Sequence, residues 1–144
     1  GRMTRKESNG AVQNIDFKHG DIRWRPASGA YVAENIGDRP IRILEIDLKS
    51  KSPAPMPVSK LDPVVVDTRH YKVELENEQV RIMRVHYDAH EKGPVHEHIL
   101  NRVVVYLNDQ TNGKAGEARI SGAAKHTEEN TSDQPADRIA VELK

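Results

Sequence analysis

Residues 80–107 read VRIMRVHYDAHEKGPVHEHILNRVVVYL. Two extended runs, Val80–Asp88 and Arg102–Leu107, flank a segment of turn formers that closes on His96-Glu97-His98. In an extended strand, residues i and i+2 point to the same face. Two imidazoles about 6–7 Å apart along the backbone can converge on one divalent ion, at about 2.0–2.1 Å from each ring nitrogen. Glu97 then points the other way.

The same grammar extends outward in both directions. Towards the C-terminus, short runs at Glu117–Ser121, Lys125–Glu129 and Ile139–Leu143 alternate with Gly, Asn and Asp turns. Towards the N-terminus lie Val64–Asp67 and Tyr71–Leu75, the latter joined to Val80–Asp88 by the turn Glu76-Asn77-Glu78, as a hairpin requires. Ser50–Pro63 carries four prolines in fourteen residues and reads as a linker. Before it come Val12–Lys18, Asp21–Arg25, Tyr31–Glu34 and Ile41–Leu48. No window sustains an apolar stripe at helical spacing for three turns. The chain therefore reads as all-β, roughly ten to twelve short strands in a sandwich or barrel. Gly1-Arg2 reads as a tag scar, and the polar residues 4–10 are expected to fray.

Composition limits the function classes. In 144 residues, 22 basic and 22 acidic side chains cancel. An electrostatic nucleic-acid binder needs a basic surplus, so that partner is not expected. The longest apolar run, Val103–Leu107, is too short to span a bilayer, and no secretory leader is visible. With no cysteine there is no disulfide frame and no thiolate chemistry. A cytoplasmic protein without nucleic-acid or membrane partners is the expectation. No nucleophile triad, phosphate loop or paired catalytic carboxylate stands out.

One unit occurs twice. At an offset of 95, Glu34, Asn35, Asp38, Pro40, Leu48 and Lys49 match Glu129, Asn130, Asp133, Pro135, Leu143 and Lys144. At an offset of 96, Gly20, Arg23 and Ala27 match Gly116, Arg119 and Ala123. Val64–Asp109 has no partner copy, so the order is tail, head, tail.

Of the seven histidines, His19 and His70 sit in turn contexts and read as solvated. His86 reads as an ordinary strand residue, and His90 lies in the loop Asp88–Pro94. His96, His98 and His126 are different. Val80–Leu107 resembles the first half of a cupin, with its His-x-His strand. Gly116–Lys144 resembles the second half, with His126 at the histidine position and Asn130 at the family spacing. Gly20–Lys49 resembles another second half, with Gly20, Pro26 and Asn35 in place but Ser28 for glycine and Tyr31 for histidine. The resemblance covers about three quarters of the chain.

What it implies is a small antiparallel, cupin-like (jelly-roll) β-barrel, with its core in residues 64–144. A disordered tail over 1–10, a second-half-like segment over 11–49 and a linker over 50–63 precede it. His96, His98 and His126 would hold a divalent metal such as Fe, Mn, Ni or Zn. The family's glutamate falls at Arg102 or Val103. A guanidinium at 102 repels a divalent cation, and its alternative use is to bind a substrate carboxylate. Glu128 shares a face with His126 in a regular strand and can stand in as carboxylate. Arg102, Tyr106 and Glu128 are the expected substrate-binding residues. Met83 and Val85 are expected to line the cavity with Arg102 and Tyr106.

Asp109–Gly116 is too short for the family's hairpin between halves. Residues 11–25 resemble the missing strands, so a homodimer, strand-swapped in one version, is expected. Two functions compete. One is a metal-dependent cupin, of dioxygenase or isomerase type, acting on a small polar molecule. The other is a metal-free cupin that serves as a small-molecule binding or oligomerising module.

Overall fold

Among the described residues, ten short strands pair in antiparallel ladders, because the turns between them reverse the chain after a few residues. The molecule is seen in a computed structural model that describes residues 1–49 and 58–144. It divides into two units, Gly1–Glu45 and Ile46–Lys144. The all-β, antiparallel class expected from the sequence is the class observed. Residues 50–57, most of the expected linker, lie outside the described residues.

In the first unit, β1 (Arg2–Glu7) lies between β2 (Val12–Asp16) and β3 (Tyr31–Asn35). The expectation of a frayed tail over 1–10 is thereby corrected. Residues 2–7 form the middle strand, held by ladders on both sides, and alternation buries Met3 and Arg5 on one face. Polarity misled here because the Arg5 charge is met locally: its guanidinium pairs with Glu7 and bonds Ser28 Oγ at 2.9 Å, although its buried Nε makes no hydrogen bond. Residues 12–16 pair with β1 within this unit. Asp21–Arg25 and Ile41–Leu48 form no strand.

The second unit holds a short helix, α1 (Pro63–Val66), then β4 (Tyr71–Glu76), β5 (Val80–Tyr87), β6 (His96–His98), β7 (Arg102–Tyr106), β8 (Ala118–Ser121), β9 (Ala124–His126) and β10 (Ala136–Leu143). The expected strand over Val64–Asp67 is a helical turn instead. Asp62 caps it through a 3.1 Å bond from the Val64 amide to Oδ1, with Pro63 at the first helical position. Those two start signals outweigh the strand preference of three valines.

Five strands form one sheet in the order β4-β5-β10-β7-β8, and β6 pairs with β9 in a separate ladder. Register determines what faces the interior. Across the large sheet, Tyr71, Val85, Arg138 and Tyr106 align in one row. Met83, Ala140 and Val104 align in the next, and Arg81, Glu142, Arg102 and Ser121 in the third. Tyr71, Met83, Val85, Tyr87, Ala136 and Ala140 form the buried apolar cluster, with Val64 packed against it. The small alanines of β10 leave room above the sheet.

Beside this cluster, His70 stacks on Tyr87 at 3.9 Å between ring centres. His70 Nδ1 lies 2.5 Å from Asp67 Oδ1, and Tyr87 donates to Asp67 Oδ2 at 3.0 Å. His70 is thus buried and paired, not solvated as its turn context suggested. A side chain at Gly93 would meet Asp67 Oδ2 and the Tyr87 hydroxyl at 2.5 Å, so this loop packs closely only with glycine there.

The repeat is structural as well as textual. In the first unit, the Gly37 amide bonds Asn35 Oδ1, and Asn35 Nδ2 donates to the Arg39 carbonyl. In the second, the Ser132 amide bonds Asn130 Oδ1, and Asn130 Nδ2 donates to the Gln134 carbonyl. Gly20 and Gly116 both adopt left-handed backbone, φ 75° and 80°. Each sits in the same turn. The Lys18 amide bonds the Asp21 carboxylate and the Asp21 amide returns to Lys18, as Lys114 and Glu117 do.

Candidate metal centre and adjoining cavity

The β6–β9 ladder puts His96 directly opposite His126. Alternation along β6 turns His98 to the same side as His96, while Glu97 points away and accepts from Ser59 Oγ at 2.5 Å. His96 and His98 are buried, and His126 is partly so. One ring nitrogen from each lies within 4.8 Å of the others. The expected trio does meet.

Hydrogen bonds determine which nitrogens point inward. His96 Nδ1 donates to the Pro94 carbonyl at 3.1 Å, leaving Nε2 as the lone pair. His98 Nδ1 lies 3.0 Å from Glu142 Oε1 and donates to it, again freeing Nε2. His96 Nε2 and His126 Nε2 are 2.9 Å apart, so His126 donates the shared proton. Two ligands on one octahedral ion at right angles lie about 3 Å apart. His96, His98 and His126 could hold a divalent cation, which would replace the proton shared by His96 and His126.

Electrostatics disfavour protonation of His96 and His126. Burial, then the neighbouring His96, His98 and Arg102, push His126 down to about 4. Burial also lowers His96, against the pull of the Pro94 carbonyl. The unfolded chain takes up these protons near pH 6.5, while the folded rings resist. This contribution is complete above about pH 6.5 and is lost as pH falls towards 4. His86, raised by Asp137, acts in the opposite direction, but it is half-exposed and screened. Urea unfolding between pH 7.5 and 4.5 should show stability falling more gently in His126→Gln than in the wild type. Equal slopes would mean that His126 is not held neutral.

Glu142 is the site residue that sequence reasoning missed. It is fully buried, and its carboxylate joins His98 to Arg81, at 2.8 Å from Arg81 Nε. Burial raises its pKa, but the His98 and Arg81 bonds outweigh that and hold it below the usual carboxylate range. Arg81 Nη1 continues to Asp62 Oδ2 at 2.6 Å, the cap of α1. A histidine ligand whose second nitrogen is fixed by a carboxylate is a recurrent arrangement at metal centres. The signal was present as the alternation Arg138, Ala140, Glu142 on one face of β10.

Beside the histidines lies a cavity of about 440 Å³, within the small-molecule range. Arg102, Tyr106 and Glu128 all line it, with Tyr71, Val85 and Arg138. Met83, expected in its wall, is fully buried instead. Glu128 does not join the histidine group. It accepts from Tyr71 Oη at 2.8 Å and pairs with Arg138, whose Nε also donates to Gln110 Oε1 at 2.6 Å. The stand-in carboxylate expected at 128 is therefore committed elsewhere, because Arg138 competes for it. Arg102 does not continue the His-x-His strand. The chain breaks after His98, and Arg102 opens β7.

A His-x-His strand paired with a returning histidine strand, set against an antiparallel sheet, is the arrangement that the sequence resemblance implied. The architecture of this unit is cupin-like. No family model matches the chain, and no curated protein matches it. Among solved structures, the chain is similar to a cupin domain from Bordetella pertussis Tohama I. Identity is 20%, the TM-score is 0.46, and the match covers 51% of this chain and 91% of that one. No helix among the described residues is long and apolar enough to cross a membrane.

Proposed function

We propose that the cupin-like unit binds a divalent metal, Fe, Mn, Ni or Zn, through His96, His98 and His126, and that its cavity binds or acts on a small polar molecule. The observation that carries this is the convergence of three imidazoles, two of them with Nε2 atoms 2.9 Å apart. Glu142 and the Pro94 carbonyl orient two of the rings from behind. When bound, a divalent ion with open positions supplies Lewis-acid activation of a ligand oxygen. Tyr71 and Arg138 hold Glu128 in the wall, and Tyr106 closes the side opposite Val85 across the sheet row.

The test is elemental analysis of the full chain after reconstitution with each metal, against the double variant His96→Ala/His98→Ala. The wild type should retain about one ion per chain, and the variant at least about tenfold less. If both hold the same amount, the metal reading fails. The His126–His96 hydrogen bond supports the second reading, a metal-free binding module whose histidines satisfy one another.

A further inference from the structure

We propose that Arg102 is the receptor for a carboxylate on the small molecule that the cavity takes. This deepens the reading of the cavity as a ligand site beside the three histidines and rests on it. Arg102 is 94% buried, since only 6% of it is exposed. It faces the cavity, and its one hydrogen bond among the described residues runs from Nη1 to the Gly122 carbonyl at 2.7 Å.

The other buried guanidiniums are neutralised. Arg81 pairs with Asp62 and Glu142, Arg138 with Glu128, and Arg5 with Glu7. Arg102 has no carboxylate partner among the described residues. The Glu142 charge lies across β10 from it, so Asp62 and Glu142 together offset Arg81 and Arg102, but beyond the Gly122 bond the Arg102 donors have no acceptor among the described residues. The acids near this face are not available. Glu142, its neighbour across β10, is taken by Arg81 and His98, and Glu128 by Arg138 and Tyr71.

A ligand carboxylate in the cavity can take up those open donors. A planar guanidinium fork matches a carboxylate with two parallel N–H···O bonds. Val85, Val104 and Ala140 give the same cavity an apolar floor, and His98 and His126 form its far wall. The ligand class is a short carboxylate with a small apolar body.

The experiment titrates the full chain, stripped of metal by chelator, with isovalerate, isovaleramide and inorganic phosphate, followed by amide chemical shifts. Isovalerate should bind saturably and more tightly than the uncharged amide or phosphate. Arg102→Gln should weaken it about tenfold to a hundredfold. Arg102→Lys, which keeps the charge and safeguards folding, should weaken it by less. No saturable binding, unchanged binding in Arg102→Gln, or tighter binding of phosphate overturns the proposal. Because metal is absent, the result is independent of the metal analysis. Loss of Arg102-dependent binding with metal retained removes this inference alone, and the reverse removes the metal reading alone.

Discussion

Glu142→Ala should destabilise the cupin-like unit by about 3–5 kcal/mol and weaken metal retention about tenfold to a hundredfold. Both effects come from one buried carboxylate. Removing it leaves two buried guanidiniums, Arg81 and Arg102, with the single carboxylate of Asp62, and an uncompensated buried charge is among the costliest defects a point change can make. It also frees His98 Nδ1, so the ring is no longer held with Nε2 towards His96 and His126. Glu142→Gln separates the two parts. Its amide oxygen can still accept from His98, but it no longer compensates Arg81. It should therefore lose stability while keeping more of the metal than the alanine variant. Urea unfolding at pH 7.5 and competition with a chromophoric chelator read the two quantities. An alanine variant within about 1 kcal/mol of the wild type would show that the network does not bear on stability.

Met83→Ala should cost about 2–5 kcal/mol. Met83 is completely buried in the middle of β5, with Val73 across one ladder and Ala140 across the other. Ala140 is already small, so it cannot swing in to fill the space left by the lost thioether. Met83→Leu keeps most of the volume and should cost less than about 1.5 kcal/mol. Thermal or urea unfolding distinguishes these values, and a small loss in the alanine variant would mean that the sheet collapses onto the hole.

The strands of the second unit were legible because β-branched and apolar residues alternate between turn formers at 71–75, 80–88 and 102–107. The histidine trio was legible because His-x-His on a strand leaves little choice of face. What escaped depended on distant partners. Arg2–Glu7 looked like a solvated tail, since nothing local shows that β2 and β3 will flank it. Val64–Val66 looked like a strand, since residue preference spoke louder than the Asp62-Pro63 start. Glu142 was hidden because a lone acid in a strand looks like a solvent-facing residue until Arg81 and His98 are brought to it across the sheet. As the stand-in carboxylate for the histidines, Glu128 was misread for the complementary reason: Arg138, ten residues later, claims it.

The β6–β9 ladder has three residue pairs, whereas β5 and β10 share eight. The imidazoles are therefore carried by the most weakly stitched strands of the unit, while Glu142 stands on the most strongly stitched one. Such strands part locally at far smaller free energy than the whole domain. Local opening of β6 and β9 would then move the histidines while leaving the Glu142 carboxylate in place.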